Sequence, residues 1–217
     1  MPAPQPGTAD DRRYDAILFD FDGVLADTEP LHCACWAAVL EPFGIHLTWD
    51  FYRDHAVGAT DRALVEKLAP LAAPGLSVDR LYQQYPAKQR LFRERVAAAP
   101  PIPAAVLEFI AELRDYRLAV VTSSQLSEVE PALEAAGIRA CFGAVVGAGD
   151  VARHKPAPDA YLLAAHRLGA ARPLVVEDSD AGLAAARAAG FDLVRVSGAG
   201  DTPDRVRAAL AAGAVGA

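Results

Sequence analysis

What most constrains this chain is a set of five short runs, at 16–19, 118–122, 144–146, 174–176 and 193–196, rich in Val, Ile and Leu and without polar alternation. A strand with one wet face alternates apolar and polar residues, so unbroken apolar runs predict strands buried on both faces, as in a parallel sheet. Between the later runs lie segments with helical spacing at 104–114, 127–136, 159–168 and 180–189. Gly137, Gly169 and Gly190 follow three of them, where a helix commonly ends on glycine. From about residue 100 onward the order is strand, helix, strand, helix. That order predicts an α/β fold built on a doubly wound, parallel, Rossmann-like sheet.

One interval breaks the rhythm: roughly a hundred residues separate the first run from the second, where a simple crossover needs about 10 to 12. Residues 29–98 carry helical periodicity and no convincing strand. Leu31, Trp36, Val39 and Leu40 mark one helix, Leu64, Val65 and Leu68 a second, and Leu81, Tyr85, Phe92 and Val96 a third. The expected organisation is a flexible tail at 1–13, an α/β core at 14–28 and 99–217, and a small helical domain inserted at 29–98. Pro100, Pro101 and Pro103 form its return hinge.

Composition narrows the class. A chain of 217 residues with 53% hydrophobic and 23% charged residues is a globular protein, large enough to fold without disulfides or structural zinc. Its 28 acidic and 21 basic residues give a net charge of -7 with no basic stripe, so nucleic acid and anionic membranes are poor partners. No uncharged apolar run approaches the roughly 18 residues of a membrane span, and the first thirteen residues lack a signal peptide's apolar stretch. The expected location is cytoplasmic. Cys33 and Cys35 point apart on a regular helix and do not suit one metal, so they and Cys141 are expected to be reduced, partly buried thiols. Among the 21 basic residues only Lys67, Lys88 and Lys155 are lysine, which raises the question of what a compact ammonium does at each.

In a doubly wound sheet a ligand sits at the carboxyl ends of the strands. Those ends read Phe19-Asp20-Phe21-Asp22-Gly23, Thr122-Ser123-Ser124, His154-Lys155-Pro156 and Val176-Glu177-Asp178-Ser179. Asp20 and Asp22, two apart at a strand end, are expected to project together, and a third acid from another strand completes a site for a hard cation that keeps water, as Mg²⁺ does. Each residue also has a plainer reading: Asp20 and Asp22 as turn caps, Thr122 as a partner for backbone groups, Asp178 with Ser179 as the N-cap of the next helix. Coincidence at four strand ends weighs against all of these at once.

The order Asp20-x-Asp22-Gly-Val, Thr122, Lys155-Pro156-x-Pro158 and Glu177-Asp178-Ser179 resembles the four motifs of the haloacid dehalogenase superfamily of phosphohydrolases. The resemblance runs from Tyr14 onward. The helical insertion resembles the small cap of that superfamily's phosphoglycolate phosphatase and β-phosphoglucomutase branch. It implies Asp20 as nucleophile, Asp22 as general acid and base, Thr122 at the phosphoryl group, and Ser123 and Ser124 as substrate-binding residues. Lys155 becomes the fixed cation beside Asp20, and Mg²⁺ is held by Asp20, the Asp22 carbonyl and Asp178. Glu177 either reaches the metal through a bend or stands behind its ligands.

The same resemblance points into the cap. His32 and Lys88 fall where the mutase couples cap closure to the general acid. The mutase's phosphate-gripping arginine falls on Asp61, with Arg62 one place later and able to substitute if the loop from Gly58 shifts, and its second basic position falls on Gln125. The function implied is a Mg²⁺-dependent phosphatase of a small phosphorylated metabolite, sugar phosphate or phosphoglycolate in type, acting as monomer or homodimer, with a sugar-phosphate mutase as the alternative. A 2-haloacid dehalogenase has no use for Asp22 or Asp178. A phosphoryl-accepting signalling receiver lacks the insertion and places its acids differently.

Overall fold

A computed structural model describes residues 13–57 and 60–213; the tail through residue 12 and the loop position of Gly58 lie outside the described residues. In chain order, β1 (Ala16–Phe19) is followed by α1 (Glu29–Leu40), α2 (Trp49–His55), α3 (Asp61–Leu68), α4 (Val78–Tyr82) and α5 (Tyr85–Ala98). Then come α6 (Ala104–Glu112), β2 (Arg117–Val121), α7 (Leu126–Ala135), β3 (Phe142–Val146) and α8 (Asp159–Leu168). β4 (Pro173–Glu177), α9 (Asp180–Ala189), β5 (Asp192–Arg195) and α10 (Thr202–Gly213) complete the order. The chain forms two compact units, one of residues Thr28–Pro101 and the other of the segments on either side.

In the sheet unit the strands run parallel in the order β3-β2-β1-β4-β5. β1 is central, with Ile17 beside Leu118 on one flank and Leu174 on the other, and all four of its residues are buried. β5, at one edge of the sheet, departs from the expectation of burial on both faces: Leu193 and Val194 are half-buried. The chain leaves β1 toward β2 and β3 and then returns past it to β4 and β5. Right-handed crossovers therefore place helices on opposite faces. Tyr161 and Ala164 of α8, with Ala185 and Ala186 of α9, close one face over Leu18, Val121, Val146 and Val175. The sequence reading does not anticipate α10, whose Arg207 pairs with Glu112 of α6 at 2.7 Å. At the foot of the sheet the Asp15 carboxylate accepts the N–H groups of Ala171 and Arg172 and pairs with Arg117 at 2.8 Å.

The helical unit has its own core, with Trp36, Leu40, Ile45, Tyr52, Leu64, Val65, Leu68 and Leu81 buried together. Thr48, Thr60 and Ser77 cap α2, α3 and α4 by accepting the N–H groups of Phe51, Ala63 and Arg80. Two details differ from expectation. The short α2 is additional, and the predicted third helix is two, because the chain breaks at Gln83 and Gln84 and restarts with Pro86 in the first turn of α5. Cys33 and Cys35 are buried and Cys141 is exposed, so the expectation of partial burial fails for the last. Among the described residues no helix is long and apolar enough to cross a membrane.

Candidate active site

Between β1 and β4 the winding reverses, which opens a crevice beyond the strand ends. Asp20 follows β1 with its N–H on the Val176 carbonyl at 3.0 Å, and Glu177 closes β4. Asp20, Glu177 and Asp178 each present a carboxylate oxygen, and the three atoms lie within 4.8 Å of one another. Lys155 Nζ donates to Asp20 Oδ1 and to Glu177 Oε1, both at 2.6 Å, and to the Val121 carbonyl at 3.0 Å. Those three acceptors use all three ammonium protons. Lys155 is not at a strand end, as the sequence reading had it: it lies in the connection between β3 and α8, beyond a 3₁₀ turn at Ala148–Asp150.

Glu177 is fully buried and accepts on both oxygens. Oε1 takes Tyr161 Oη at 2.9 Å besides Lys155, and Oε2 takes the N–H groups of Asp178 and Ser179 and the Ser179 hydroxyl, each at 3.0 Å. Its carboxylate passes under the first turn of α9, where a Cβ on Gly182 would stand 1.6 Å from Oε1. Gly23 has a left-handed φ of +74°, and a Cβ there would lie 2.2 Å from Asp178 Oδ2. Of the proposed helix cap, Ser179 does the work: its hydroxyl accepts the Gly182 N–H at 3.0 Å.

Asp22 reaches the site by another route than strand alternation, since β1 ends at Phe19. It sits in a tight turn in which the Phe21 carbonyl accepts the N–H groups of Val24, Leu25 and Ala26. Thr122 is buried, and its Oγ1 accepts the Ser124 N–H at 2.9 Å. The hydroxyl keeps its own proton to donate. Ser124 Oγ donates to Asp22 Oδ2 at 2.8 Å, and Ser123 is exposed.

Four carboxylates face one lysine here. Burial pushes the Asp20 carboxyl up, Lys155 opposes it, and the charges of Glu177 and Asp22 add to the rise, which reaches about 8. Burial and Glu177 likewise raise Asp178. Burial would raise Glu177, but Lys155 and its hydrogen-bond donors hold it below the ordinary value. Lys155 stays above its ordinary value despite burial because Asp20 and Glu177 flank it. Burial and Glu177 push the Tyr161 phenol well up, so it remains a donor. An all-oxygen acidic cluster short of positive charge suits a hard divalent cation.

In the helical unit, Lys88 is 2% exposed, and its Nζ lies 3.3 Å from each oxygen of Asp61. Trp36 Nε1 donates to the same carboxylate, and the ammonium stands within 5.8 Å of the Trp36, Tyr85 and Phe92 ring centres. His32 stacks on Phe92 at 4.1 Å. Arg62 is half exposed and paired with Asp79 at 2.9 Å and Glu66 at 3.5 Å. Sequence reasoning missed the Lys88–Asp61 pair, and it missed Tyr161 and Gly182. A tyrosine among the small residues Ala160, Ala164 and Ala165 of α8, and a glycine inside a helical pattern, are the only signals that point to the last two.

The model of the family described as haloacid dehalogenase-like hydrolase matches residues 17–196, which include all four motifs. The chain belongs to that family. Among its relatives, fructose-1-phosphate phosphatase YqaB of Escherichia coli (strain K12) is 35% identical over 85% of this chain and 97% of its own. The phosphorylated carbohydrates phosphatase of Thermotoga maritima is 33% identical over 93% and 92%. The crystal structure of CbbY from Rhodobacter sphaeroides in complex with phosphate superposes with a TM-score of 0.66 at 30% identity, over 85% of this chain and 87% of the other. This haloacid dehalogenase-like hydrolase is an enzyme of the phosphoric monoester hydrolase class.

Proposed function

We propose that the enzyme is a Mg²⁺-dependent phosphatase of small sugar phosphates that works through an aspartyl-phosphate. The observation that carries the reading is Lys155 holding Asp20 Oδ1 while Glu177, itself saturated with donors, holds Lys155. An Asp20 oxygen forms a bond to phosphorus as the bond to the leaving oxygen breaks, and Asp22 gives that oxygen its proton. Asp22 then takes a proton from the water that cleaves the acyl-phosphate. Thr122 donates to a phosphoryl oxygen, and Lys155 neutralises part of the charge that would repel the substrate. Asp20, Asp178 and the Asp22 carbonyl would hold Mg²⁺, which supplies charge neutralisation and alignment of the phosphoryl oxygens. Glu177 stands behind these ligands, because its two oxygens already accept five hydrogen bonds.

The sugar-phosphate class is supported by the relatives named above, and the helical unit serves as the cap that reads the leaving group. A mutase must grip a bisphosphate by both ends. Here Asp61 is no cation and is engaged by Lys88 and Trp36, Arg62 is engaged by Asp79 and Glu66, and position 125 is Gln125. The test is Mg²⁺-dependent phosphate release from a panel of sugar phosphates that includes fructose 1-phosphate. A parallel arm supplies β-glucose 1-phosphate with a trace of the 1,6-bisphosphate. Phosphate release faster than formation of glucose 6-phosphate is expected; the reverse order establishes the mutase.

A further inference from the structure

The geometry points to Ser124 as the residue that positions Asp22 for proton transfer, an inference that rests on the phosphatase reading. Resemblance alone makes Ser124 a substrate-binding residue, yet its hydroxyl donates to Asp22 Oδ2 at 2.8 Å. Both ends of that bond are anchored by backbone. Ser124 is pinned by its N–H on Thr122 Oγ1 at 2.9 Å and by its carbonyl, which accepts the Ala148 N–H at 3.0 Å. Gly147 permits this approach, since a Cβ there would lie 3.1 Å from the Ser124 carbonyl oxygen and 2.7 Å from Leu126 Cδ2. Asp22 is pinned by the turn around the Phe21 carbonyl and by the Gly23 N–H on the Ala26 carbonyl at 2.8 Å.

A carboxyl group turns about a broad, roughly two-fold torsion, and the Ser124 hydroxyl favours the rotamer that turns Oδ2 toward it. With Oδ2 held as an acceptor, the exchanged proton belongs to Oδ1. In the first half-reaction the Oδ1–H bond breaks and the proton goes to the leaving oxygen as its bond to phosphorus breaks. In the second, Oδ1 takes a proton from the attacking water. Ser124 does not touch the reacting atoms in this account. It acts by fixing which atom of Asp22 does.

A positioned general acid matters in proportion to how poor the leaving group is. A sugar alkoxide needs its proton in the transition state, whereas p-nitrophenolate departs as a stable anion. The experiment measures kcat/KM for Ser124→Ala and Ser124→Thr against wild type, with a sugar phosphate that wild type hydrolyses and with p-nitrophenyl phosphate. Because kcat/KM stops at the first irreversible step, the later base role of Asp22 does not enter. Ser124→Ala should lose roughly 10- to 100-fold on the sugar phosphate, part of the 10²–10⁴ that general acid–base catalysis supplies. On p-nitrophenyl phosphate it should lose far less, and Ser124→Thr, which keeps a hydroxyl, should recover most of the loss. Equal losses on both substrates overturn the inference in favour of a phosphoryl contact, and no loss on either overturns it outright. If Ser124→Ala does not fold, as read by its thermal transition, the ratio of the two substrates in Ser124→Thr and Ser124→Cys decides instead. Wild type that releases phosphate from neither substrate removes the phosphatase reading itself, an outcome distinct from uniformly impaired variants.

Discussion

A methyl group added at Gly182 sets a small local gain against a large local conflict. Alanine is favoured over glycine inside a helix by roughly 1 kcal/mol, yet its Cβ would stand 1.6 Å from Glu177 Oε1, the atom that receives Lys155 and Tyr161. Gly182→Ala is therefore expected to fold and to lose at least about tenfold in kcat/KM by displacing Lys155 from Asp20, an effect of the size that misplaced catalytic groups produce. Wild-type kinetics in that variant would show that the network tolerates the shift. Asp20→Asn should lose several orders of magnitude, because an amide forms no acyl-phosphate and groups that act as a unit fail together. A variant keeping more than about a tenth of the rate removes Asp20 as nucleophile. Asp178→Ala should raise the Mg²⁺ midpoint of activity more than it lowers thermal stability; an unchanged midpoint assigns Asp178 no metal contact. The acids were legible in sequence because charged residues after an apolar run stand out locally, and Lys155 because it is one of three lysines among 21 basic residues. Tyr161 and Gly182 were not, because Tyr161 matters only through the reach of its hydroxyl from α8 to Glu177 and Gly182 only through the close approach of α9 to that carboxylate.

The strands share one anchor at the foot of the sheet. Asp15, just before β1, ties β2 through Arg117 and the entry to β4 through the amides of Ala171 and Arg172. Burial would raise its carboxyl, but those two N–H groups and Arg117 outweigh burial and hold it below the ordinary value. A carboxylate held lower in the folded than in the unfolded chain contributes stability that is present above its unfolded pKa, about 3.9, and is lost as pH falls through the folded value. Asp15→Asn removes one acceptor oxygen and should cost about 1 to 2 kcal/mol near neutral pH. Urea denaturation should show the gap between variant and wild type narrowing below pH about 4; a gap that widens there is incompatible with this role. Element legibility followed the same logic of local signal. The central strands were readable because burial on both faces leaves an unbroken apolar run, and 159–168 and 180–189 because each ends on glycine. α2 is too short for its period to show, and the break between α4 and α5 falls on two glutamines that carry no turn signature. β5 reads as a central strand, since its place at the edge is a property of sheet order and not of its residues.

At the scale of the molecule, a net charge of -7 includes four carboxylates gathered beyond β1 and β4, and the cost of that gathering depends on pH and on metal. Without metal, Asp20 is raised from 3.8 to about 8, so the folded chain holds a proton that the unfolded chain releases. The sign is then opposite to that of Asp15: this group's contribution to stability falls as pH rises from about 4 to about 8 and levels off above that. A bound divalent cation favours the ionised carboxylate, and below about pH 8 it must displace the proton to bind. Mg²⁺ should therefore raise the thermal midpoint more at pH 8.5 than at pH 6, both chosen to bracket roughly the Asp20 transition. At about a hundred times its dissociation constant a ligand contributes about 2.7 kcal/mol, on the order of 5 to 10 °C for a chain of this length. Trp36 and Trp49, the two tryptophans of the chain, both lie in the helical unit, so their fluorescence alone would miss the effect. Far-ultraviolet circular dichroism, which follows the strands as well, is the measurement to make, with chelator against Mg²⁺ at each pH and Asp178→Ala as the variant expected to lose the shift. A shift that shrinks as pH rises, or that persists undiminished in Asp178→Ala, would mean that the ion stabilises the chain from somewhere other than the crevice between β1 and β4.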